Sequence, residues 1–233
     1  VMRHPQMGSV SEFAKASRVP VINGGDGPNE HPSQALLDLY TIKKELLSND
    51  RQIDDMNIAM IGDLKHGRTV HSLSQLLLLY DNITFTLISP PELKMPAEIV
   101  SELTAAGHDV IETEDMETGL NDNDTVYLTR IQEERFTTKL EADIYRGRFR
   151  LNQSIYTRYC QPNTVIMHPL PRDSREEANE LDSDLNQHPN LAIFRQTDNG
   201  VVVRMALFAL VLDVADKIDD SATDVGWYTQ GRF

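Results

Sequence analysis

The stretch NIAMIGDLKHGRTVHSL, residues 57–73, passes from a short apolar run through a polar, glycine-containing loop into a helical pattern. Residues 58–61 have the length and composition of a buried strand, and Val70, Leu73 and Leu77 then recur at helical spacing. The same order returns downstream. Strand-like runs at 84–88, 109–112, 125–128 and 164–167 alternate with helical patterns at 97–105 and 151–160, the first helix covering 69–80. Such alternation specifies an α/β fold, a doubly wound and mostly parallel sheet covered by helices. Ligands of these sheets bind outside the carboxyl ends of the strands. The loops that begin GDLK at 62, TRIQ at 129 and HPLP at 168 are therefore expected to carry the chemistry.

Before the sheet, residues 32–47 form a helix in which Ala35, Leu39, Ile42 and Leu46 make one apolar stripe. After it, Asn199-Gly200 reads as a turn at the entry to an almost wholly apolar helix starting near Val201. Both helices are expected to be buried between layers or domains. The apolar run 201–215 contains Arg204 and Asp213 and is shorter than the roughly 20 residues needed to cross a bilayer, so no membrane span is expected. The acidic stretches 112–117 and 173–184 read as solvated loops and helix faces.

With 233 residues, 40% of them apolar, the chain has enough material for a buried core. Its net charge of −14 argues against a nucleic-acid or anionic-membrane surface, because a polyanion would be repelled over most of the protein. An anionic substrate then needs a local cluster of Arg, His or backbone N–H groups. The single cysteine, Cys160, excludes an intrachain disulfide and a Cys-based zinc cage. It reads as a small buried hydrophobe in a reducing, cytoplasmic setting. No basic segment followed by an apolar one opens the chain, so export has no sequence support. The first residue is Val1, which points to a processed chain or to an absent amino-terminal part.

Several residues are candidates for chemistry. In DGPNEHPSQ, residues 26–34, proline at the first helical position makes His31 the expected N-cap. His31 and Gln34, three apart, then share a helix face near the positive end of the helix dipole. That arrangement suits polarising a carbonyl oxygen or holding an anion; the bland alternative is a purely structural cap. Arg68 sits where a strand-end loop meets the next helix, and Arg130 and Gln132 lie two apart after the strand at 125–128, facing one side if extended. Guanidinium groups suit the carboxylates of a dicarboxylate, although in so acidic a chain an arginine also serves as a salt-bridge partner. HPLP, residues 168–171, carries two prolines that cannot donate backbone hydrogen bonds, so its carbonyls are either ligand acceptors or parts of a rigid turn. Arg3-His4-Pro5 is the weakest of these signals.

Four blocks, HPSQALLDLYTI (31–42), GDLKHGRTVHSL (62–73), YLTRIQEER (127–135) and MHPLPR (167–172), together resemble the carbamoyltransferases in the same order. The likeness is closest to the enzymes that use aspartate. Ornithine-type relatives resemble H-P-C-Q and H-C-L-P, with cysteine where Ser33 and Pro169 stand here. The resemblance implies transfer of the carbamoyl group of carbamoyl phosphate to the amine of L-aspartate, in pyrimidine biosynthesis. It assigns Arg3 and His31 to the carbamoyl carbonyl oxygen and Gln34 to its amide. Arg68, Arg130 and Gln132 go to the aspartate carboxylates, with Thr69 as a further contact. The carbonyls of Pro169 and Leu170 go to the carbamoyl amide and the incoming amine. Arg135 with Glu134 resembles a pair that helps close two domains.

The resemblance further implies no metal or organic cofactor and a homotrimer with shared active sites, and it leaves room for a separate regulatory chain. It divides the chain into residues 1–33, the end of a carbamoyl-phosphate-binding domain; 34–194, the aspartate-binding domain; and 195–233, a helix returning to the first domain and a tail. The family's Ser-Thr-Arg-Thr-Arg phosphate loop, which precedes the Arg-His-Pro segment, does not occur in this chain, so the fragment alone is expected to be incomplete. A carbamoyltransferase for another amine and a non-catalytic homologue are the rival expectations.

Overall fold

The structure is a computed structural model that describes residues 1–130, 147–173, 175 and 178–218. In chain order its main elements are β1 (Met2–His4), α1 (Ser9–Ala16), β2 (Asn23–Asp26), α2 (Pro32–Leu47), β3 (Asn57–Ile61), α3 (Arg68–Leu77), β4 (Thr84–Ile88), α4 (Ala97–Ala105), β5 (Asp109–Thr113), α5 (Met116–Gly119), β6 (Thr125–Leu128), α6 (Gln153–Tyr159), β7 (Val165–Met167) and α7 (Ile193–Val211). Strands β3 to β7 form one parallel sheet in the order β5-β4-β3-β6-β7. The chain winds outward from β3 to β5 and then returns to lay β6 and β7 on the other side. The winding direction therefore reverses between β3 and β6, and a crevice opens at their carboxyl ends. β1 and β2 make a separate two-stranded parallel sheet.

Side chains alternate across the large sheet, as the pleat requires. Ile58, Met60, Tyr127, Val165 and Met167 face one core, closed by Ile42 and Leu46 of α2, Val70, Leu73 and Leu77 of α3, and Leu103 of α4. Ala59, Ile61, Val126, Leu128 and Ile166 face a second core, with Leu120, Leu151, Tyr156, Leu181 and Leu185. Burial on both faces explains why these strands read as continuous apolar runs. Each fully buried Leu or Ile contributes about 1.5–3 kcal/mol, which is ample to override the modest propensities of such short strands.

The carboxyl-terminal helix departs from expectation. It begins at Ile193, and Asn199-Gly200 lies inside it. The Asn199 amide donates to Thr41 Oγ1 at 3.0 Å, and its carbonyl accepts from Lys44 at 3.3 Å. A Cβ at Gly200 would meet Leu37 at 3.3 Å, so glycine lets α7 lie close against α2. The pair that reads as a turn is thus a helix-to-helix contact. Nor is this helix buried throughout, because Val201, Met205, Phe208 and Leu210 are exposed. Glu180, expected to be solvated with its acidic neighbours, is buried against His168.

Gly62 lets the main chain beyond β6 lie close against the end of β3. Its φ is +112°, and a Cβ there would lie 2.3 Å from the Thr129 carbonyl oxygen beyond β6. Gly62→Ala is therefore expected to destabilise the protein by about 2–4 kcal/mol, through a disfavoured backbone conformation plus a clash with main chain. Thermal melting of the variant checks this, and an unchanged midpoint would refute it.

Candidate active site

A cleft of about 480 Å³ opens at the crevice between β3 and β6. Arg3 and His4 reach it from β1, Gly27 and Pro28 from the loop after β2, and Gly67, Arg68 and Thr69 from the loop that becomes α3. Thr129 and Arg130 follow β6, and His168, Pro169, Leu170 and Pro171 follow β7. Three arginines thus meet on one concavity of a strongly acidic chain, beside the amino terminus of α3, where backbone N–H groups favour anions. The Arg68 guanidinium donates to the Gly27 carbonyl at 2.8 Å, joining the small sheet to the large one. Arg130 also acts on Asp173, whose carboxyl is held down to about 2, chiefly by Arg175.

Gln34 opens onto an adjoining recess of about 200 Å³ with Pro169, Leu170, Gln196 and Arg204. His31 lines neither hollow. It is the N-cap of α2, yet its side chain makes no capping bond, which removes the bland reading of it as a structural cap. Its backbone N–H donates to Ser72 Oγ at 3.0 Å, and Ser33 Oγ lies 3.4 Å from its Nδ1. The tautomer in which the Ser33 hydroxyl donates to Nδ1 carries the ring proton on Nε2, as a donor. Burial, with the charges of Arg68, Arg3 and Arg204, pushes the imidazole pKa down to about 4, so the ring is neutral near pH 7. Gln132, Glu134 and Arg135 lie outside the described residues.

Residues 54–211 match the family model for the aspartate/ornithine carbamoyltransferase Asp/Orn binding domain, and residues 1–44 match that for the carbamoyl-P binding domain of the same proteins. The chain belongs to the aspartate/ornithine carbamoyltransferase family. It is 70% identical over 231 residues to the aspartate carbamoyltransferase catalytic subunit of Cellvibrio japonicus, covering 99% of this chain and 68% of that protein. The corresponding subunit of Saccharophagus degradans is 68% identical over 100% of this chain and 69% of its own length. Among solved structures, the catalytic subunit of M. jannaschii aspartate transcarbamoylase superposes with a TM-score of 0.80 at 39% identity, over 92% of this chain and 66% of that one. The Trypanosoma cruzi enzyme in complex with N-(phosphonacetyl)-L-aspartic acid gives 0.75 at 34%, over 89% and 64%.

The structure adds residues to this candidate site that sequence reading passed over. Asp38, one helical turn after Gln34, is fully buried and accepts from Gln34 Nε2 at 2.9 Å, Gln196 Nε2 at 2.6 Å and Tyr127 Oη at 2.6 Å. Burial outweighs these three donors and lifts its pKa to about 6. The ionisation of Tyr127 is pushed well above the usual phenol range by burial and by Asp38. The Gln196 carbonyl accepts the His168 backbone N–H at 3.1 Å. The buried His168 ring in turn accepts the Leu170 N–H on Nδ1 at 2.8 Å and sets Nε2 2.7 Å from Glu180. Arg204 was legible only as a charge in an apolar run. Its spacing four residues after Gly200 on α7 is the one sequence signal that it reaches Gln34's recess.

Proposed function

We propose that this chain forms the aspartate-binding part, and a share of the carbamoyl-phosphate-binding part, of an aspartate carbamoyltransferase of pyrimidine biosynthesis. The observation that carries the reading is the convergence of Arg3, Arg68, Arg130 and the proline-rich loop on one crevice at the winding reversal. The guanidinium groups of Arg68 and Arg130, with Gln132 and Thr69, suit the two carboxylates of aspartate. Arg3 and the neutral His31 donate to the carbamoyl carbonyl oxygen, while Gln34 and the carbonyls of Pro169 and Leu170 take the N–H groups of the carbamoyl amide and the incoming amine.

In the reaction the aspartate amine attacks the carbamoyl carbon, negative charge gathers on the carbonyl oxygen, and phosphate departs. Fixed donors around that oxygen provide the largest electrostatic share of such a step. Orientation of the two substrates provides much of the rest. Ser33 and Pro169, at positions where ornithine-type enzymes resemble cysteine, favour aspartate as the acceptor.

Residues 1–33, 34–194 and 195–233 serve respectively as the end of the carbamoyl-phosphate domain, the aspartate domain, and a returning helix with its tail. The enzyme works as a homotrimer with shared active sites in the cytoplasm, with scope for a separate regulatory chain. Among the described residues, no helix is long and apolar enough to cross a membrane. Release of phosphate from carbamoyl phosphate by the full-length protein, dependent on L-aspartate and absent with L-ornithine, is the expected result. Dependence on ornithine, or on neither amine, would overturn the reading.

A further inference from the structure

We propose that Asp38 is the positioning residue that turns Gln34 and the 168–170 loop into acceptors for the carbamoyl amide, an assignment that rests on the functional reading above. An amide side chain presents N–H groups on one side and a carbonyl on the other, and only its partners decide which faces a ligand. Asp38 offers only acceptors when ionised and takes the amide nitrogen of Gln34 at 2.9 Å. The Gln34 carbonyl is thereby left for a ligand N–H. The same carboxylate takes the amide nitrogen of Gln196 at 2.6 Å, which commits the Gln196 carbonyl to the His168 N–H and ties down the strand-end loop carrying Pro169 and Leu170. Its other oxygen takes the Tyr127 hydroxyl at 2.6 Å.

One buried carboxylate therefore fixes side chains on α2, β6 and α7, and two of them, Gln34 and Gln196, line the recess beside the cleft. A buried charge is costly unless it is hydrogen-bonded, and three donors meet this carboxylate. Asp38 touches no substrate; it acts through Gln34 and Gln196. Its removal should affect a ligand according to whether that ligand carries N–H groups. Acetyl phosphate, which replaces the carbamoyl NH2 by a methyl group, supplies that contrast.

Calorimetric binding of carbamoyl phosphate and of acetyl phosphate to the full-length protein tests this. In Asp38→Asn, the Kd for carbamoyl phosphate should rise about 10–100-fold, the range for losing a residue that orients a binding group, while that for acetyl phosphate rises less than about 3-fold. A merely structural Asp38 would weaken both equally, and equal losses, or none, would overturn the assignment. If Asp38→Asn does not fold, Gln196→Leu breaks a single arm. A narrowed preference for carbamoyl phosphate then supports the assignment, and an unchanged one overturns it. A wild-type protein that binds neither phosphate would instead sink the functional reading itself.

Discussion

Replacing His31 by alanine in the full-length protein should lower turnover by about 10²–10³ while leaving the melting temperature nearly unchanged, because a fixed donor to a developing oxyanion is lost. A helix cap would behave the opposite way, costing about 1 kcal/mol of stability with turnover kept. The structure separates the two, since the His31 side chain makes no capping bond. The pH profile carries the same prediction. The His31 pKa is lowered from 6.5 to about 4 in the fold, so its neutral, donating form persists as pH falls through the ordinary histidine range. The sign for stability follows. Between about 6.5 and 4 the unfolded chain takes up a proton that the folded ring refuses, so this residue's contribution to stability falls as pH falls and levels out below the folded pKa. Loss of turnover centred near 6.5 that disappears in His31→Asn would contradict a neutral donor.

Arg130→Ala should raise the KM for aspartate by about 10²–10³ and change the affinity for carbamoyl phosphate much less, since charge-assisted bonds to a substrate carboxylate are removed. Arg130 lines the cleft beside Thr129, together with Arg68 and Thr69. Arg130→Lys should recover only part of the loss, because an ammonium replaces the charge but not the fork of parallel donors. Steady-state kinetics with each substrate varied in turn separates these effects. Equal losses for both substrates would place Arg130 in the architecture of the loop, where it acts on Asp173.

Much of the lining of the candidate cleft was legible because its residues sit in loops bounded by strong local signals. The apolar runs at 84–88 and 125–128 and the proline-started helix at 32–47 have the same limits in sequence and structure. The two short strands β1 and β2 were not legible. Three or four residues, with Gly24 and Gly25 among them, carry no periodicity. The start of α7 was missed for a different reason. Asn199-Gly200 has the local chemistry of a turn, and only α2, whose Thr41 lies 158 positions away, makes it a packing contact. Asp38 is the clearest case of non-local information. It stands inside a quoted motif, but the partners that give it a role, Tyr127 and Gln196, come from 89 and 158 residues away.

The most direct test of the central claim is a competition. The full-length protein is supplied with ¹³C-labelled carbamoyl phosphate and equal concentrations of L-aspartate and L-ornithine, and the labelled products are followed by NMR. Accumulation of N-carbamoyl-L-aspartate with stoichiometric phosphate, and no labelled citrulline, is the expected result. Citrulline as the main product, or phosphate released without any carbamoylated amine, would contradict it.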